Sequence, residues 1–62
     1  MANALDYVVE MRDANDNVIE CFAKLESFHA TKLVFEHYAQ KHPNQHILGR
    51  HKARVIFERE AD

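Results

Sequence analysis

The chain has 62 residues, with 8 Lys+Arg against 10 Asp+Glu, 47% hydrophobic residues and a single Gly, Pro and Cys. A chain this short buries only about 60% of the surface its unfolded form exposes, so a self-contained enzyme with a deep pocket is not expected. The lone Cys21 excludes a disulfide within one copy, and no charge-free stretch approaches the roughly 20 apolar residues that cross a bilayer.

Residues 1–62 read as one domain. Met1 to Tyr7 has neither a basic nor an apolar segment, so it does not resemble a secretory signal, and a reduced, cytoplasmic setting is expected. In Asp6 to Arg12, Tyr7, Val9 and Met11 alternate with Val8, Glu10 and Arg12, the period of a strand with one buried face. Asp13-Ala14-Asn15-Asp16-Asn17 is a run of turn formers. Val18 to Leu25 alternates again, with Ile19, Cys21, Ala23 and Leu25 assigned to the core and Val18, Glu20, Phe22 and Lys24 to the other face. Residues 6–25 are therefore expected to form a hairpin.

Ser27 suits a helix N-cap, and nothing after it breaks a helix before Pro43. A helix is expected over 28–41. Leu33, Ala30, Val34 and Tyr38 make its apolar arc, which Phe35, Phe28 and Ala39 extend. Pro43 to Lys52 reads as a loop containing Ile47, Leu48 and Gly49, and residues 53–59 as a third strand, followed by a frayed acidic tail at 60–62. The expected fold is α+β, a single ββαβ domain: a three-stranded antiparallel sheet, strand one central, with one helix on one face. Val8, Phe22 and Ile56 are then expected on the uncovered face, as an apolar contact surface.

Five histidines stand at positions 29, 37, 42, 46 and 51. Only His42 and His46 have a ligand-like spacing, Pro43 interrupts the helix that would hold them, and no metal or other cofactor is expected. Cys21 on a core face reads as an inert small hydrophobe, and no catalytic residue is assigned.

Charge is the strongest signal. Residues 1–31 hold Asp6, Glu10, Asp13, Asp16, Glu20 and Glu26 against Arg12 and Lys24, whereas His37 to Phe57 contains Lys41, Arg50, Lys52 and Arg54 and no carboxylate. Such a cationic border attracts an acidic protein surface or phosphate. The net charge of −2 disfavours nucleic acid, which remains the alternative partner. The expected site is thus protein-binding: Arg50, Lys52 and Arg54 steer and pair, Phe22 and Ile56 supply the apolar centre, and Arg59 reinforces the rim. Either a monomer or a homodimer joined along strand three is compatible with this reading.

The length, the strand–strand–helix–strand order and the basic strand Ala53-Arg54-Val55-Ile56-Phe57-Glu58-Arg59 resemble the small inhibitors of host enzymes that bacteriophages encode, notably the phage inhibitor of bacterial RNA polymerase. The resemblance covers the hairpin 6–25, the helix after Ser27 and the last strand. It implies a regulator acting in the host cytoplasm, on RNA polymerase or a defence nuclease, with arginines of the last strand meeting the target. The sequence departs from that family in having no Trp and in spacing Arg54 and Arg59 five positions apart.

Overall fold

The computed structural model describes residues 5–61 and places five elements in the order β1 (Tyr7–Arg12), β2 (Val18–Leu25), α1 (Phe28–Lys41), β3 (His46–His51) and β4 (Arg54–Arg59). Residues 1–4 and Asp62 of the expected tail lie outside the described residues. All strand pairs are antiparallel, in the order β2-β1-β3-β4. The expected three-stranded ββαβ domain is therefore corrected to ββαββ with four strands. The stretch read as a loop supplies β3, which takes the place beside β1 expected for the last strand, and β4 pairs with β3 instead.

Gly49 explains both the strand and the misreading. It sits mid-strand opposite Val9 on one side and Phe57 on the other. A Cβ added there would lie 3.3 Å from the Phe57 ring and 3.4 Å from the Thr31 methyl, so glycine marks a close approach of helix to sheet, not a turn. The turn that follows, Lys52-Ala53, contains no Gly, Asn or Pro to announce it.

The helix begins where Ser27 Oγ accepts the Ala30 amide at 3.0 Å. It ends at His42, whose amide donates to the Tyr38 carbonyl at 3.0 Å just before Pro43. Its buried residues are Thr31 and Ala39, with Val34, Phe35 and Tyr38 half-buried, whereas Leu33, assigned to the apolar arc, is exposed. Thr31 is buried at little cost because its hydroxyl donates to the Ser27 carbonyl at 2.7 Å. Its methyl can then fill the space above Gly49.

Beneath the helix lie Val9 and Ile47, both fully buried, and Phe57, whose ring centroid is 5.0 Å from that of Phe28 and 5.5 Å from that of Phe35. Such ring pairs add to the burial of their area.

Each edge strand is bulged. In β2 the pairing passes from Val9↔Ala23 to Glu10↔Cys21 and from Met11↔Glu20 to Arg12↔Val18, leaving Phe22 and Ile19 as extra residues; in β4 the extra residue is Ile56. A bulge resets the alternation of side chains. That is why Phe22 leaves the open face and stacks on Tyr38 at 4.0 Å and 4°, with His42 at 5.3 Å. For the same reason Ile19 and Cys21, expected in the core, are exposed.

Replacing Gly49 by Val should lower unfolding free energy by about 1–3 kcal/mol through overpacking. The denaturant midpoint measures this, and an unchanged midpoint would mean that helix and sheet are not in close contact at this point.

Candidate functional site

The face opposite the helix is organised around a carboxylate. Glu10, Leu48 and Val8 are buried there, Glu10 with only 1% of its surface exposed. Alternation puts Glu10 and Arg12 of β1 on this face with Leu48 and Arg50 of β3. Glu10 Oε2 accepts from Arg12 Nε at 2.9 Å and Nη2 at 2.5 Å, and from Arg50 Nε at 3.2 Å. Arg12 Nη1 reaches on to Asp16 at 3.1 Å, and Arg50 Nη1 donates to the Lys52 carbonyl at 2.6 Å. The chain of contacts runs from the hairpin loop to the β3–β4 turn.

Burial pushes the Glu10 carboxyl up, but hydrogen bonds and charge from Arg50 and Arg12 outweigh it and hold the group below its ordinary value. The Arg12 guanidinium is raised in turn, first by Glu10 and then by Asp16. In the loop, Asp13 Oδ1 accepts the amides of Asn15 and Asn17, both at 2.9 Å, which lowers the Asp13 carboxyl; Asp16 adopts a left-handed φ of 66°.

These contacts divide the residues expected to bind a partner. Arg50 is tied to Glu10 and to the Lys52 carbonyl. Arg59 turns under the helix, where its guanidinium donates to the carbonyls of Ala39 and Gln45, each at 2.8 Å, and of His42. Arg59 is thus a clamp on the helix C-terminus, its cation placed at the negative end of the dipole. Phe22 belongs to the helix-side aromatic stack, and Ile56 is half-buried at the β4 bulge.

Lys52 and Arg54 remain exposed, and neither side chain has a hydrogen bond or ion pair among the described residues. Lys52 opens the β3–β4 turn and Arg54 follows it, at the end of the sheet where Tyr7 stacks on His51 at 4.4 Å. The helix N-terminus lies at this same end, where Phe28, packed near Phe57 on the helix side, and Val55, paired with Arg50 on the opposite side, are 52% and 44% exposed. Sequence reasoning overlooked these two residues, because helical and strand periodicity assigned both to buried faces.

The histidines are dispersed. His42 stacks in the aromatic group, His46 Nε2 lies 2.6 Å from Glu58 Oε2, and His51 stacks on Tyr7. Among the described residues, no three His, Cys, Asp or Glu side chains come together as metal ligands. A shallow depression of about 450 Å³ lies beside the hairpin loop, lined by Arg12, Asp16, Asn44, Gln45, His46 and Glu60. No described helix is long and apolar enough to cross a membrane. No family model, curated protein or solved structure matches the chain.

Glu10→Gln should cost about 2–3 kcal/mol, because two partly buried guanidiniums lose their carboxylate. A domain of this size has roughly 3–9 kcal/mol in all. The depressed Glu10 contributes stability that is complete above its ordinary value of 4.5 and disappears as pH falls through its lower folded value. The melting temperature of the wild type should therefore fall more steeply below about pH 4.5 than that of Glu10→Gln. Parallel curves would show that Glu10 is not held ionised. Arg59→Met should cost about 2–3 kcal/mol in a urea titration by leaving the last carbonyls of the helix without donors.

Proposed function

We propose that the chain is a non-enzymatic protein-binding module that docks on a larger protein through the end of the sheet formed by the β3–β4 turn and the helix N-terminus. One observation carries this reading. Of the four cations assigned to the site, Arg50 and Arg59 are consumed by internal bonds, whereas Lys52 and Arg54 are exposed and, among the described residues, unpaired. Exposed cations steer an acidic surface toward the apolar group beside them, here Val55, adjacent to Arg54 in the chain.

The contact is made by side chains and not by strand addition. A guest strand needs a regular free edge, and the bulges at Ile56 in β4 and at Phe22 and Ile19 in β2 interrupt both. A regulator or inhibitor of an enzyme with an acidic surface fits this chemistry. The nucleic-acid alternative is weaker, because the chain carries a net charge of −2 and its Arg12 and Arg50 are already committed to Glu10.

Lys52→Glu combined with Arg54→Glu should leave the melting temperature within about 5 °C of wild type, because both residues lie on the surface. The same variant should lose the partner recovered by affinity capture from cells that make the protein. Undiminished capture of that partner would refute the assignment of this end of the sheet.

A further inference from the structure

Lys52 holds a φ of 56°, the left-handed region in which a side chain is strained and glycine is not. It is the first of two central residues in the turn closed by the His51↔Arg54 pair, and Ala53 beside it has no positive φ. A hairpin turn of that pattern favours glycine at the first position. The surroundings pin the conformation on both sides: the Lys52 amide donates to the Asp6 carbonyl at 2.9 Å, and the Lys52 carbonyl accepts Arg50 Nη1 at 2.6 Å. The backbone that carries this cation is therefore fixed by the same arginine that closes the buried Glu10 cluster. The ammonium itself has no bond within the described residues and is next-but-one in sequence to another exposed, unbonded cation, Arg54.

A strained backbone position occupied by a charged residue serves the fold less well than glycine would, and such positions persist at contact sites. We propose that Lys52 is the anchoring contact of the docking end, and that its ligand is a carboxylate on an acidic segment of another protein, with an apolar side chain of that segment resting against Val55. This rests on the docking reading above and adds the residue and the chemistry of what it holds. Charge complementarity selects the occupant. Among the described residues the two cations are exposed and without a side-chain bond: Asp6 meets Lys52 through its main-chain carbonyl, and Glu10 is buried and already satisfied by Arg12 and Arg50.

The probe is a short fluorescein-labelled peptide alternating Glu and Leu, with its Gln–Leu counterpart as control, followed by anisotropy at low and high salt. The full chain should bind the Glu peptide, lose it as salt rises, and bind the Gln peptide weakly. Lys52→Gly and Lys52→Asn both suit a left-handed position, and each should keep or raise the thermal midpoint while weakening binding about three- to tenfold. Lys52→Arg should retain binding. The inference is overturned if either variant binds as tightly as wild type, if weaker binding comes with a lower midpoint, or if the wild type ignores the Glu peptide or prefers a single-stranded DNA oligonucleotide. Should Lys52→Glu with Arg54→Glu abolish peptide binding while Lys52→Gly does not, the anchor fails and the docking end stands.

Discussion

The structure depends on one buried carboxylate held between two guanidiniums. Glu10 lies on a central strand, on the face opposite the helix, and an ionised carboxylate there is tolerable only because Arg12 and Arg50 supply charge-assisted hydrogen bonds. The two arginines come from different strands, so the cluster also fixes the pairing of β1 with β3. Through Asp16 it reaches the hairpin loop, and through the Lys52 carbonyl it reaches the β3–β4 turn. A shift of β3 by one residue would carry Arg50 to the helix side and leave Glu10 short of a donor. The polar cluster thus specifies register together with Leu48 and Val8, which are buried on the same face.

The helix side meets the opposite requirement, close contact without charge. Gly49 lets the Thr31 methyl and the Phe57 ring approach the sheet, and Phe57 in turn packs near Phe28 and Phe35. Arg59 completes this side by binding carbonyls at the helix C-terminus, joining β4 to an element that would otherwise meet it only through the aromatic group. Bulges on both edge strands limit further growth of the sheet, which is one of the ordinary ways in which small β-proteins avoid pairing with one another.

These constraints sort the cations by what they do. Arg12, Arg50 and Arg59 maintain the fold, so a basic stretch in the sequence is not equivalent to a basic surface. Among the described residues Lys24, Lys32, Lys41, Lys52 and Arg54 are left exposed without a side-chain bond, and of these Lys52 and Arg54 lie together at the β3–β4 turn, next to exposed Val55. A small domain has few residues to spare. The cations its own acids and carbonyls do not use are the ones available to another molecule.

Local physics was legible in the chain itself. The hairpin, the helix from Phe28 to Lys41 and its Ser27 cap follow from period-two alternation, turn-forming side chains and the hydroxyl that satisfies a first-turn amide. These are effects of near neighbours. The identity of β3, the departures of Phe22, Ile19 and Cys21 from alternation, and the consumption of Arg50 by Glu10 were decided only by tertiary structure. Gly49 is indistinguishable in sequence from a loop glycine until Thr31 and Phe57 are brought against it. A bulge exists only relative to the strand it faces, and the ion pair joining residues 10 and 50 requires the helix to return the chain beside β1. The candidate site was accordingly half visible. Lys52 and Arg54 stood out by charge, but which cations remain free is determined by contacts between residues distant in sequence.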